Sequence, residues 1–258
     1  MKLVCITENT TQNPALTPEH GLCVYIETRG KKILLDFGQT GETLIHNAQR
    51  LGIDLSAVDM AVLSHGHYDH GGGLEAFLEA NKTATVYLHK TAFGEYYNGT
   101  EKYIGLNPAL QENPRLCFVS QDTTLCEGIT LCMPREELVA PLRHGGLTQK
   151  SGDSFVPDSF SHELYLQVEE ENNKVLFSGC AHKGIENIMA WFSPNVFVGG
   201  MHLSHFPLDG TLTTLGKTLE KYNTHYITGH CTGLEQFQVI KGKISKISYL
   251  SCGKALAM

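Results

Sequence analysis

One segment concentrates side chains that hold metal ions: Ser64-His65-Gly66-His67-Tyr68-Asp69-His70-Gly71-Gly72-Gly73. Four donor groups, on His65, His67, Asp69 and His70, fall within six residues at the end of an apolar stretch. Neutral imidazole and carboxylate are the usual donors to zinc, iron and manganese. His65 and His67 are two apart, so an extended backbone places both on one side. Asp69 and His70 follow as the chain turns and address a second position close by. The glycines let the backbone turn tightly into the next helix. A solvated loop or satisfied core imidazoles would account for a single His, but not for H-x-H-x-D-H at a strand end.

Such a cluster needs donors from elsewhere in the chain. Apolar stretches run into Gly179-Cys180-Ala181-His182 and into Gly229-His230-Cys231-Thr232, which makes His182 and His230 the expected ligands. A third stretch runs into Met201-His202-Leu203-Ser204-His205. His202 is expected to transfer a proton or touch substrate, with ligation as its lesser alternative, and His205 to be peripheral. His46, His89 and His225 lie in a helix or strands and are expected to be structural.

The elements that must position these groups alternate along the chain. Strands are expected over Leu3–Thr7, Gly21–Thr28, Lys32–Asp36, Val58–Ser64, Thr85–His89, Leu116–Ser120 and Ile129–Met133. Arg29-Gly30-Lys31 is a hairpin signal, and helices are expected at Gly41–Leu51, Leu74–Ala80 and Ala92–Asn98. Residues 134–162 hold three prolines and three glycines with no clear period, which suggests an active-site lid. The acidic run Glu169–Glu171, leading into Asn172, is expected as a solvated turn between strands at Glu163–Glu169 and Lys174–Ser178. Beyond it, helices at Gly184–Trp191, Thr211–Tyr222 and Leu234–Ile240 alternate with strands at Val196–Gly199, His225–Thr228 and Lys243–Leu250. Each half starts with strands and continues into strand–helix alternation. The expected fold is α/β: a four-layer αββα sandwich of two mixed sheets with helices outside, as one domain over 1–258. A nucleotide-binding fold is disfavoured, since neither G-x-G-x-x-G nor G-x-x-x-x-G-K-[ST] occurs at the required place.

Composition narrows the function classes. The chain has 258 residues, 13 His, 8 Cys and a formal net charge of -7. The acidic balance argues against nucleic acid as a partner. No stretch approaches the roughly 20 apolar residues of a membrane helix. The cysteines are scattered without a C-x-x-C pair, and the N-terminal stretch is too short for a signal peptide. Reduced thiols in the cytoplasm are therefore expected.

H-x-H-x-D-H at a strand end, with Asp36 upstream in Ile33-Leu34-Leu35-Asp36-Phe37-Gly38, resembles the metallo-β-lactamase superfamily over essentially the whole chain. Glu19-His20-Gly21-Leu22, Ser178-Gly179-Cys180-Ala181-His182 and Gly229-His230-Cys231-Thr232 narrow the likeness. They resemble its dihydropterin-ribofuranosylaminobenzene phosphate synthase-like branch of metal-dependent hydrolases. The resemblance implies two divalent ions, zinc first with iron or manganese as alternatives. His65, His67 and His182 would hold one, and Asp69, His70 and His230 the other. Asp36 would support the site from behind. Many members carry a bridging Asp where this chain has Cys180, which leaves Cys180 as a thiolate ligand, a close neighbour of the metals or an inert residue.

The implied reaction is hydrolysis by a metal-bound hydroxide. Two divalent ions against one ligating carboxylate leave an electropositive cleft, so the expected substrate is a small anionic phosphoester, ester or lactone. Asp69 would ligate and orient the nucleophile, and His202 would move a proton. His20, His144 and Arg143 are candidates for gripping an anion or protonating a leaving group. The alternatives are a mononuclear iron dioxygenase on the same fold and a non-catalytic metal-binding protein. The oligomeric state stays open.

Overall fold

The computed structural model describes residues 1–171 and 173–258; Asn172, in the expected acidic turn, lies outside the described residues. In chain order come β1 (Lys2–Thr7), β2 (Cys23–Thr28), β3 (Lys31–Leu35), α1 (Gly41–Arg50), β4 (Met60–Val62), α2 (Tyr68–Gly71) and α3 (Leu74–Ala80). Next are β5 (Thr85–His89), β6 (Tyr96–Asn98), β7 (Lys102–Tyr103), β8 (Leu116–Val119), β9 (Thr123–Cys126), β10 (Ile129–Cys132), β11 (Leu147–Ser151) and β12 (Ser154–Pro157). The chain continues with β13 (Tyr165–Glu170), β14 (Asn173–Phe177), α4 (Ile185–Phe192), β15 (Val196–Val198) and α5 (Gly210–Glu220). It ends with β16 (His225–Thr228), α6 (Leu234–Lys241), β17 (Ile247–Tyr249) and β18 (Ala255–Ala257).

These elements form two compact units. The first comprises Met1–Gln121, Gly146–Leu164 and Ser251–Met258. Its main sheet runs β18-β1-β2-β3-β4-β5-β8, antiparallel from β18 to β3 and parallel from β3 to β8. The β2–β3 turn has Arg29 at φ 50° and Gly30 at φ 71°, the two positive values that a two-residue hairpin matched to strand twist requires. Parallel neighbours need long connections, and helices supply them: α1 between β3 and β4, and α3 between β4 and β5. α1 begins at Thr40, whose hydroxyl accepts the Thr43 N–H. Its Leu44 and Ala48 join Ile6, Leu34, Phe37, Leu63 and Phe77 in one buried cluster. The Phe37 and Phe77 rings meet at 5.3 Å, and burying each such side chain stabilises the unit by about 1.5–3 kcal/mol.

The second unit comprises Asp122–Gly145 and Tyr165–Leu250. Its sheet runs β9-β10-β13-β14-β15-β16-β17, antiparallel up to β14 and parallel beyond it. α4, α5 and α6 carry the crossovers between the parallel strands. Their apolar residues Ile188, Leu212, Leu215 and Ile240 cluster with Leu176, Phe197 and Tyr226. The Tyr226 hydroxyl, carried into this core, donates to the Leu219 carbonyl at 2.9 Å, which removes the cost of burying it.

Two expectations require correction. Residues 96–98 of the expected helix at 92–98 form β6 instead; the aromatic pair Tyr96-Tyr97 favours a strand, and an added Cβ at the preceding Gly94 would collide with the Tyr96 ring. Residues 134–162 are not without regular structure. They contain the β11–β12 hairpin, which extends a four-stranded sheet in the order β12-β11-β6-β7. The segment is also divided, with 134–145 in the second unit and 146–162 in the first.

Candidate metal centre

In the first unit the apolar β4 delivers the chain to Ser64 and the histidine motif. Gly66 is required there because a Cβ would stand 2.0 Å from the Ala92 carbonyl oxygen. Behind the motif lies Asp36, fully buried and held at φ 59°. Its Oδ1 accepts the Ser64 N–H at 2.7 Å, and its Oδ2 accepts the Ser64 hydroxyl at 2.8 Å. His70 Nδ1 lies 2.7 Å from the same Oδ2.

These contacts assign protons. A carboxylate only accepts, so His70 Nδ1 carries hydrogen and the lone pair of the neutral ring sits on Nε2. The Ser64 hydroxyl has given its only hydrogen to Asp36, so it accepts at 2.8 Å from His65 Nδ1, and His65 likewise keeps its lone pair on Nε2. The His65 ring lies 4.2 Å from that of His70 and 4.7 Å from that of His67. Asp69 Oδ2 is 3.8 Å from His70 Nε2 and 3.2 Å from Nε2 of the half-exposed His20. The Asn9 amide nitrogen is 3.3 Å from His20 Nδ1, which places the His20 proton on Nε2, toward Asp69.

His162, which follows the β11–β12 hairpin, is fully buried. Its Nδ1 accepts the Gly66 N–H at 2.9 Å, and its Nε2 faces Asp158 Oδ2 at 3.1 Å. Burial pushes the His162 imidazole down to about 4, so the ring is neutral near neutral pH even with Asp158 opposing the shift. Burial works against ionisation of Asp158 too, yet hydrogen bonding and charge from His162 and His67 outweigh it and hold the carboxyl below its ordinary range. The sequence reading missed Asp158. The signal available was its spacing of four residues from His162.

The second unit presents its candidates after three adjacent parallel strands: Cys180 and His182 after β14, His202 after β15, and His230 and Cys231 after β16. Ala181, His202 and His230 have φ values of 56°, 50° and 50°. Left-handed backbone at non-glycine residues costs about 1–3 kcal/mol each and persists only where surroundings over-determine it. Here the Met201 N–H donates to Thr232 Oγ1 at 3.0 Å, and the Leu203 and Ser204 N–H groups donate to the Cys231 carbonyl at 2.9 and 3.0 Å. The His182 and His202 rings meet at 4.3 Å. Donor atoms of Cys180, His202 and Cys231 lie within 4.8 Å of one another. Burial would raise the Cys231 thiol, but hydrogen bonds from Cys180 and His202 and the neighbouring His230 hold it well below the ordinary thiol range.

Arg143 points its guanidinium at Glu186, at 2.9 and 3.2 Å, and rests on the Phe206 ring at 4.7 Å. With Thr211, Thr214 and Thr218 this pair lines an open cavity of about 530 Å³ in the second unit. His144 is half-buried and His205 exposed. His46, His89 and His225 each meet a local oxygen, on Ala15, Thr91 and Ser248.

Residues 16–230, which include His65, His67, Asp69, His70, His182 and His230, match the family model of the metallo-β-lactamase superfamily. The chain belongs to that superfamily. Its fold class is α/β, and the sandwich of mixed sheets expected from the sequence is the superfamily's fold. Among curated relatives of this superfamily member, a Methanocaldococcus jannaschii protein is 28% identical over 86% of this chain and 84% of its own length. That relative is named 7,8-dihydropterin-6-methyl-4-(β-D-ribofuranosyl)-aminobenzene-5'-phosphate synthase. A second protein of that organism is 27% identical over 99% of this chain and all of its own length. Among solved structures, Tm1679, a metal-dependent hydrolase of the β-lactamase superfamily, matches with a TM-score of 0.87 at 27% identity, covering 100% of this chain and 99% of that one. The donor chemistry suits the family's metals: imidazole and carboxylate together favour zinc, iron or manganese over calcium or magnesium. No helix among the described residues is long and apolar enough to cross a membrane.

Proposed function

We propose that this protein is a binuclear metal-dependent hydrolase of a small anionic substrate, a phosphoester, ester or lactone. His65, His67 and His182 hold one divalent ion, and Asp69, His70 and His230 hold the second, with zinc the first choice. The observation that carries this reading is the proton assignment around Asp36, which leaves Nε2 of both His65 and His70 as a lone-pair donor. That is the arrangement a metal-ligating imidazole requires, its other ring nitrogen held by a carboxylate or hydroxyl.

Bound divalent ions supply a nucleophile from water at neutral pH and polarise the scissile carbonyl or phosphoryl group. Asp69 orients the attacking water, and the His20 contact holds its carboxylate in position. His202 carries the proton to the leaving group. Cys180 would serve there as a thiolate ligand or as a close neighbour of the bound ions. Arg143 and His144 belong to a segment that helps to admit the anion. One ligating carboxylate against two divalent ions leaves the centre positive, which selects an anionic substrate. The name of the 28% identical relative, the synthase of a pterin-linked ribofuranosyl-aminobenzene 5'-phosphate, agrees with a phosphate-bearing substrate. We place the protein in the cytoplasm, a placement supported by its eight free cysteines.

Screening the metal-loaded protein against phosphodiester, lactone and thioester panels, with His65→Ala as the control, tests the proposal. Hydrolysis of one class that is lost in the variant supports it. Oxygen consumption by iron-loaded protein with a persulfide, without hydrolysis, would replace it with the dioxygenase reading. Metal uptake with neither activity would leave a metal-binding protein.

A further inference from the structure

Cys231 has no part in the reaction outlined above, yet its sulfur lies against Cys180, 51 residues earlier in the same unit. The two Sγ atoms are within 4.8 Å of each other, and Cys231 Sγ is 3.6 Å from the Cys180 carbonyl oxygen. These residues follow β14 and β16, which are not neighbours, since β15 runs between them. Gly200, just past β15, is what lets the sulfurs meet. A Cβ there would stand 2.3 Å from Cys231 Sγ and 3.5 Å from the Cys180 Cα. Backbone contacts pin the turns at this spacing. The Gly200 N–H donates to the Gly179 carbonyl at 2.7 Å, and the His202 N–H donates to Cys231 Sγ at 3.3 Å.

A buried cysteine often serves only as a small apolar group, and Cys5 and Cys23 of the first unit fit that role. Burial pushes both of those thiols up, which keeps them unreactive. Cys180 and Cys231 differ in having each other. A disulfide needs about 2.05 Å between its sulfurs. The gap that remains is within the swing of a cysteine side chain between staggered rotamers. The pair is also shielded, at 3% and 7% exposure, so a bulky thiol such as glutathione is kept from capping either sulfur alone. The partner thiol is then the group at hand for a sulfur that has been oxidised.

We propose that Cys180 and Cys231 are an oxidisable pair: a peroxide converts the two thiols to a disulfide that ties the turn after β14 to the turn after β16. One sulfur takes an oxygen from the peroxide and becomes a sulfenic acid, and one water leaves. The second thiol attacks that sulfur. The S–S bond forms as the S–O bond breaks, and the thiol proton leaves with the hydroxide as a second water. The two sulfurs together give up two electrons, which reduce the O–O bond of the peroxide. In a reducing compartment the pair rests as thiols, and a thiol reductant reverses the bond. The disulfide has no thiolate to offer a metal ion, and it moves the turns that carry His182 and His230. Oxidation therefore lowers metal affinity. That consequence rests on the hydrolase reading, while the disulfide itself does not.

The test treats the full-length protein, freed of metal and reductant, with hydrogen peroxide. Denatured samples then go to thiol counting and non-reducing mass spectrometry. Two of the eight thiols should disappear and return with dithiothreitol. Trypsin should release Val175–Lys183 joined to Tyr222–Lys241. Cys231→Ser and Cys180→Ser should each abolish the joined peptide, and either variant carries the test if the other does not fold. In zinc titrations against a competing chelator, oxidised wild type should bind about 10-fold more weakly than reduced protein and recover on reduction. An unchanged thiol count would overturn the proposal, as would joined peptides that pair other cysteines, or sulfinic acid at Cys180 or Cys231 without any joined peptide. A disulfide that leaves zinc affinity unaltered overturns the switch. A reduced wild type that forms the joined peptide but takes up no zinc overturns the hydrolase reading and upholds the pair.

Discussion

In the first unit each motif imidazole leans on an acid or on a hydroxyl bound to one: His70 on Asp36, His65 on Ser64, and His67 facing Asp158. In the second unit the groups around the candidates are thiols, threonine hydroxyls and backbone amides. Their aim is set by left-handed backbone at Ala181, His202 and His230. Both units place these groups at the ends of parallel strands, where open α/β sheets generally bind ligands. The difference lies in how position is enforced. A carboxylate chooses the proton position of an imidazole as well as its direction, while a strained turn chooses direction alone. The first unit should therefore respond most to removing charge, and the second to changing shape.

The sharpest way to break this contrast is at the ligands of the first unit. His65→Ala or His67→Ala should remove most bound metal and lower hydrolysis by more than about 100-fold. Elemental analysis finding full metal content in either variant would remove that residue from the ligand set. Next in size is Asp36→Ala, which leaves the Ser64 N–H, the Ser64 hydroxyl and His70 Nδ1 without their acceptor. Denaturant unfolding of the metal-free protein should show a loss of about 3–5 kcal/mol. A loss under about 1 kcal/mol would mean that acids are not what holds this motif.

Acid should expose the same dependence. His162 is held at about 4 in the folded chain, against about 6.5 when unfolded. Between those values the unfolded chain binds more protons, so stability is full above about pH 6.5 and falls as pH drops toward 4. Asp158, held below its unfolded value, adds a loss with the same sign lower down. Unfolding of the chelated protein across pH 4–7 should show the slope, and His162→Asn should flatten its upper part. A wild-type profile without slope there would contradict the burial of a neutral His162.

Cys231→Ala is the matching change in the second unit. It should cost about 1–2 kcal/mol by loss of packed volume, and leave the His65 and His70 tautomers unaltered in 15N spectra. Altered tautomers would mean that the contrast between the units is wrong. The smallest effect is expected from Arg143→Ala. Its pair with Glu186 is partly exposed, so a shift under about 1 kcal/mol in thermal unfolding is expected; a larger one would make the pair structural.

Legibility followed sequence distance. The donors of the first unit share one short segment, and His182, His202 and His230 each follow an apolar strand, so both patterns were visible without coordinates. The β2–β3 turn was visible for the same reason. β6 and the β11–β12 hairpin were not, because such short strands owe their structure to pairing partners far along the chain, as Gln149 does to Tyr96. Asp158 was hidden in that same segment.

The sequence by itself determined which elements of chemistry the motif can offer, because the identity and spacing of donors are local properties. Only the tertiary structure decided which nitrogen of each ring carries its proton. Asp36 lies 34 residues from His70, and Gly66 lies 96 residues from His162. A tautomer is chosen by whichever partner folding brings to a hydrogen-bonding distance, and no local pattern records that partner.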